Sequence, residues 1–174
     1  MGGLLSQILA AKHQLKGLVL LNSAAPRGIH ALKFSVFRAF FPTMLKWGYW
    51  KKPFRFSFKN ACRSILNKIP EKERTQFYEN MIFESGKAAN QIGMWLLDKN
   101  KSTEVDEKKI NCPILVIGSK EDHLTPPSTT RKIYRKYKDN ATYKEFADHA
   151  HMTNLEPGWE VIANYILSWI QKLS

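Results

Sequence analysis

The stretch Pro113-Ile114-Leu115-Val116-Ile117-Gly118-Ser119-Lys120-Glu121-Asp122-His123-Leu124-Thr125-Pro126-Pro127 decides the fold. It opens with an apolar run that does not alternate, the pattern of a strand buried on both faces, as in a parallel sheet covered by helices. A glycine ends the run, a polar loop with an acid follows, and two prolines stand where a helix starts well. Upstream, Lys16-Gly17-Leu18-Val19-Leu20-Leu21-Asn22 repeats the apolar run. Downstream, Ile133, Tyr134 and Tyr137 predict a helix over Ser128–Lys138, and Thr142–Phe146 alternates weakly as a shorter third strand. Leu4, Leu5, Ile8 and Leu9 predict an opening helix. Trp159, Ile162, Ile166, Trp169 and Ile170 predict one face of a closing helix between Pro157 and Leu173, with Val161 and Tyr165 alongside.

The order is helix, strand, long middle segment, strand, helix, strand, helix, which argues for the α/β class with a mostly parallel sheet. The middle segment holds several helix-like stretches and no convincing strand. It predicts a helical cap over residues 27–109, inserted between neighbouring strands of a core made of residues 1–26 and 110–174.

The chain has 174 residues, 44% of them hydrophobic, with 27 Lys and Arg against 15 Asp and Glu, a net charge of +12. That is enough apolar sequence for one real core, and it excludes a disordered polycation, a collagen-like chain and a low-complexity segment. Cys62 and Cys112 are the only cysteines, so neither a disulfide framework nor a run of metal-ligating thiols is expected; both read as buried small residues in a reducing compartment. With no long uncharged apolar run and no secretory signal pattern, the expectation is a soluble cytoplasmic chain.

The charge is unevenly distributed. His30 to Pro70 carries nine Lys or Arg, no Asp or Glu, and ten aromatic residues. One reading is a cap whose rings pack on themselves while the basic ends stay solvated. The other is a surface for an acyl chain, an anionic substrate or a membrane interface, with Phe37, Phe40, Phe41, Trp47 and Trp50 as candidate contacts. Rings interleaved with cations can also stack bases, but no nucleic-acid motif accompanies them and no nucleic acid is expected as a partner.

A second loop, Asp148-His149-Ala150-His151-Met152-Thr153-Asn154-Leu155-Glu156-Pro157, follows the third strand. Loops at the carboxyl ends of parallel strands are where open α/β sheets place their sites. An acid after one strand and a histidine after the next could meet there, the carboxylate fixing the imidazole tautomer. In this strand, acid-loop, helix, strand, histidine-loop, helix order, in the small residues Asn22-Ser23-Ala24-Ala25-Pro26 after a strand, and in the cap insertion, the chain resembles the α/β-hydrolase family. The resemblance spans nearly the whole chain but matches only the C-terminal part of that fold.

The resemblance implies that Asp122 is the acid of a catalytic triad and His151 the general base. His151 is preferred to His149 because the family's usual pattern runs from the histidine to a closing pair such as Glu-Pro, and His151 through Glu156-Pro157 matches it. The family's nucleophile sits on a Gly-x-Ser-x-Gly elbow, and Met1-Gly2-Gly3-Leu4-Leu5-Ser6-Gln7 matches it from the residue after the serine. By that match the serine and the upstream sheet would precede Met1, whose backbone N–H would serve the oxyanion hole, while the glycines allow close strand–helix approach. Ser6 and Ser23 do not fit the elbow. The same opening fits the N-myristoylation pattern Met-Gly-x-x-x-Ser, but the elbow reading explains the downstream sequence as well. His149-x-His151 with Asp122-His123 matches no zinc spacing, so neither metal nor cofactor is expected. His13 and His30 read as lone solvated histidines.

The implied function is hydrolysis of an ester- or thioester-type acyl substrate, a small molecule of lipid-like or anionic character, with membrane-surface contact through the basic aromatic cap. The 174 residues alone are expected to be inactive, with a free sheet edge prone to association. The alternative is a non-catalytic or membrane-associated binding protein on a hydrolase scaffold.

Overall fold

The computed structural model describes residues 1–31 and 33–173. In chain order its first elements are α1 (Gly2–Ala10), β1 (Leu18–Leu21), α2 (Phe34–Met44), β2 (Pro53–Phe54), α3 (Phe58–Ser64) and α4 (Glu71–Glu79). These are followed by β3 (Glu84–Ser85), α5 (Gly86–Gly93), β4 (Ile114–Ser119), α6 (Pro127–Lys136), β5 (Ala141–Phe146) and α7 (Trp159–Ile170).

The main sheet has the order β1-β4-β5 and is parallel throughout, Leu18 pairing with Ile114 and Ile114 with Ala141. Every residue of the central strand β4 is buried, and its side chains alternate between two apolar layers. Ile114 and Val116 pack with Leu4 of α1, Ile133 of α6 and Tyr137 just beyond it. Leu115 and Ile117 pack with Phe146 and with Ile162, Tyr165, Ile166 and Trp169 from α7. The unbroken apolar run is therefore needed on both faces, as a sheet with helices on each side requires. The buried face of α7 differs from the expected one, since Trp159 and Ile170 are 46% and 48% exposed. Trp159 is the first residue of the helix, and Ile170 points about 100° around the axis from Trp169.

Two close approaches set the layers. A Cβ on Gly3 would stand 2.4 Å from Ser23 Oγ, so α1 lies directly against the loop after β1. A Cβ on Gly118 would stand 2.4 Å from Thr130 Oγ1, so α6 presses equally close to β4.

The segment between β1 and β4 is mainly helical, as expected, but it also contains a two-residue antiparallel ladder, β2 with β3. Two residues are too few to give a period-2 signal in sequence. Phe56, Ala61, Ile65, Leu66 and Ile69 form a core cluster here, joined by Leu124 and Met152 from the two loops that follow β4 and β5. Ile29 and Val105, near the ends of the segment, are instead buried with the sheet. Cys112 is buried and Cys62 only half-buried, both as free thiols, which corrects the expectation of two buried cysteines. His13 is exposed, and the exposed His30 stacks its ring on Trp95 at 5.0 Å.

Candidate active site

The parallel register places the loops after β4 and β5 side by side, and backbone hydrogen bonds join them: Lys120 N donates to Phe146 O and Glu121 N to His149 O. The first loop folds around the Asp122 side chain, which is completely buried. Its Oδ1 accepts from the backbone N–H groups of Leu124 and Thr125, both at 2.8 Å. Its Oδ2 accepts from Thr125 Oγ1 at 2.8 Å and stands 2.8 Å from His151 Nδ1. Burial pushes the Asp122 carboxyl up, but the facing His151, its hydrogen bond and those from Thr125 outweigh this and hold it below the ordinary aspartate value.

Asp122 is therefore a charged acceptor, and Nδ1 of His151 carries the proton it receives. That tautomer leaves the lone pair on Nε2, which no hydrogen bond from the described residues engages. An imidazole held this way can take a proton at Nε2 while the carboxylate stabilises the resulting cation.

The second loop is held by Glu156, itself 1% exposed. Its two carboxylate oxygens accept from Ala150 N at 2.7 Å and Met152 N at 2.9 Å, the residues on either side of His151. Asn22, at the end of β1, ties the whole together with a left-handed φ of 43°. Its side-chain amide donates to Ala150 O at 2.7 Å and Ser119 Oγ at 3.0 Å, while its backbone carbonyl oxygen stands 2.9 Å from Thr125 Oγ1. His149 is buried against the edge of Phe146, with Nδ1 3.4 Å from Glu156 and no hydrogen bond there. No hydrogen bond or ion pair joins it to Asp122.

Residues of the stretch between β1 and β4 also hold the acid loop. His123 Nδ1 lies 2.8 Å from Arg63 O, Asn67 Nδ2 donates to Glu121 O at 2.9 Å, and Lys68 pairs with Glu121 at 2.7 Å. The hydrogen bond that Lys68 donates to Glu121 raises the Lys68 pKa above its ordinary value.

The five aromatic residues singled out in the sequence separate in the structure. Phe37 and Phe41 line an open cavity of about 380 Å3 between α2 and α3, whose walls include neither Asp122 nor His151. Phe40 turns inward onto Phe54 and Phe56. Trp47 is 90% exposed and meets the half-buried Trp50 edge to face. Met1 is half exposed, its carbonyl accepting from Leu4 and Leu5 N–H.

Ser6 Oγ donates back to Gly2 O, and the buried Ser23 Oγ donates to Ala24 O while accepting from Gln7. Neither reaches His151. Among the described residues no group of three His, Cys, Asp or Glu side chains is arranged to hold a metal ion.

Sequence reasoning missed Thr125 and Asn22, and it used Glu156 only as part of a pattern. The signals available were a hydroxyl three residues after the acid, an Asn closing a buried strand, and an acid five residues after the histidine.

A family model described as serine aminopeptidase, S33 matches residues 1–158. The structure is similar to a monoacylglycerol lipase of Paleococcus ferrophilus, with a TM-score of 0.62 and 20% identity, covering 99% of this chain and 65% of that one. It is also similar to an esterase of Thermogutta terrifontis, with a TM-score of 0.60, 19% identity, and 99% and 62% covered. A third is the esterase EaEST of Exiguobacterium antarcticum, with a TM-score of 0.60, 15% identity, and 95% and 63% covered. The chain spans less than two thirds of the length of each of these structures. No curated protein matches it by sequence. No described helix is long and apolar enough to cross a membrane.

Proposed function

The chain belongs to the serine aminopeptidase, S33 family of α/β-hydrolases, and from that membership we propose that it carries the acid and base of a serine hydrolase acting on ester- or thioester-type acyl substrates. The observation that carries this reading is the 2.8 Å contact between His151 Nδ1 and the buried Asp122 carboxylate, with Nε2 left unengaged by the described residues. In it, His151 removes the proton from a serine hydroxyl as that oxygen attacks the acyl carbonyl. His151 then returns the proton to the leaving group, and Asp122 holds the ring and supports its positive charge. The serine belongs to a segment N-terminal to Met1, whose N–H faces the developing oxyanion, and the free cysteines suit a reducing, cytoplasmic setting.

The test joins a family-like upstream half ending in Gly-x-Ser directly before Met1 and follows labelling by a fluorophosphonate. Labelling is expected, to be abolished by Ser→Ala at that position and strongly reduced by His151→Ala. Labelling that survives His151→Ala undiminished would remove His151 from the base role.

A second reading, a binding protein on a hydrolase scaffold, is favoured by one observation: neither Ser6 nor Ser23 contacts His151. Absence of labelling from a folded fusion would favour it.

A further inference from the structure

The cavity of about 380 Å3 between α2 and α3 has an unusual wall. Three phenylalanines, Phe34, Phe37 and Phe41, share it with three cations, Arg38, Lys59 and Arg63. Among the described residues no hydrogen bond or ion pair engages the side chains of these cations. Three basic groups away from the cavity, Lys68, Arg131 and Lys136, each meet a carboxylate at 2.7 Å or less. Around the cavity no such partner is at hand in sequence, because residues 30–70 contain no Asp or Glu.

The walls are held in place from behind. Asn60, itself buried, donates from Nδ2 to Ala39 O and so fastens α3 to α2, and Ser64 Oγ donates to Asn60 O at 2.7 Å. Phe40, one residue before the cavity-lining Phe41, anchors α2 in the cluster beneath. A smaller adjoining space shares Phe34, Arg38, Asn60 and Arg63 and extends to His123, next to Asp122 in the chain.

Aromatic surface takes an acyl chain, and unpaired guanidinium and ammonium groups take a carboxylate or phosphate through charge-assisted hydrogen bonds. The volume falls in the range of single small-ligand sites. We propose that this cavity binds one monomeric anionic amphiphile, its chain on Phe34, Phe37 and Phe41 and its headgroup among Arg38, Lys59 and Arg63. A concave space between two helices suits a single chain better than the flat surface of a bilayer. The proposal goes beyond the hydrolase reading and does not rest on it, because its readout is binding and its walls exclude Asp122 and His151.

The test is isothermal titration of the 174-residue chain with dodecanoate, dodecyl phosphate and dodecanol, each below its aggregation concentration. Saturable one-to-one binding of one or both anions is expected, and comparing the two tells which headgroup the site takes. Dodecanol should bind at least roughly tenfold more weakly. The triple variant R38Q/K59Q/R63Q should lose roughly tenfold or more of the anion affinity, and R38K/R63K should keep most of it. All three cations are exposed, so the variants should melt as the parent does. On the unaltered protein, added salt should weaken anion binding and leave dodecanol unchanged, which tests the idea even if the triple variant fails to fold. Equal affinity for dodecanol and the anions, no effect of the triple variant, or no monomer binding at all would overturn it. Binding only to phosphatidylglycerol vesicles would overturn it as well, and would assign the basic aromatic stretch to a membrane surface.

Discussion

The two loops at the carboxyl end of the sheet and the basic, aromatic stretch from His30 to Pro70 both concentrate reactive side chains, but they treat them in opposite ways. In the loops the two carboxylates around His151, those of Asp122 and Glu156, are buried and fully engaged. The Asp122 carboxylate has four donors around it, and Glu156 accepts from the backbone on both sides of His151. In the aromatic stretch Arg38, Lys59 and Arg63 stand exposed without a partner among the described residues, and Trp47 is almost wholly in solvent. A low-dielectric site makes every unsatisfied group expensive, so the loops admit one arrangement. The exposed stretch bears no such penalty, and its groups remain available to something else.

The largest effect expected from breaking this contrast is at Glu156. Glu156→Gln keeps the shape but turns one acceptor oxygen into a donor, so either Ala150 N–H or Met152 N–H faces an amide N–H. One buried donor left without a partner costs about 1–3 kcal/mol. Urea unfolding should show that loss. In the enzyme completed with an upstream half, labelling should fall without a change in its dependence on pH, because Glu156 positions His151 through the backbone and does not touch its ring. Unaltered stability would mean that the clamp does not form.

How far this contrast was legible in sequence depends on the kind of interaction. The β4 strand was plain because Ile114 to Ile117 must serve two apolar layers, which needs an unbroken run. The meeting of Asp122 with His151 was legible because adjacent parallel strands bring their following loops together, whatever the loops contain. Glu156, Asn22 and Thr125 were not, since side chain-to-backbone bonds leave no repeat and require no particular residue at the other end. The aromatic stretch was legible as a composition and opaque as a surface. Phe40 and Phe41 are neighbours, one in a core cluster and one on a cavity wall, and Phe34, Phe37, Phe40 and Phe41 leave too little polar contrast around α2 to say which side faces inward.

A smaller effect, confined to acid, is expected at Asp122. Its folded pKa lies below the unfolded value of about 3.9, so the unfolded chain takes up the proton first as the pH falls. The stabilisation from this group is thus present above about pH 3.9 and is lost as the pH drops toward and through the folded value. Urea midpoints measured from about pH 6 to about pH 3 should fall less steeply in Asp122→Asn than in the parent. Some slope should persist, because Glu107, held down by its hydrogen bond from Lys136, titrates in the same direction. Glu145 does likewise, since the hydrogen bonds from Tyr143 and Arg131 outweigh its burial. An unchanged slope would mean that Asp122 is not paired in the folded state.

The smallest effect should come from Trp47, and it is the sharpest test of the exposed side of the contrast. The ring is 90% exposed and touches Trp50 edge to face at a centroid distance of 5.5 Å. An indole that stays in water on folding contributes almost no burial, and a single edge contact between accessible rings adds little. Trp47→Ala should therefore change stability by less than about 0.5 kcal/mol, which for a chain of this size shifts the melting temperature by under about 2 °C. A calorimetric scan of the two proteins decides it. A loss of about 2 kcal/mol or more would place Trp47 in a packed interior, and the aromatic stretch would then be core on both sides, with its rings committed to the fold. Stability within the small range would instead leave the ring on a surface that folding keeps open to solvent.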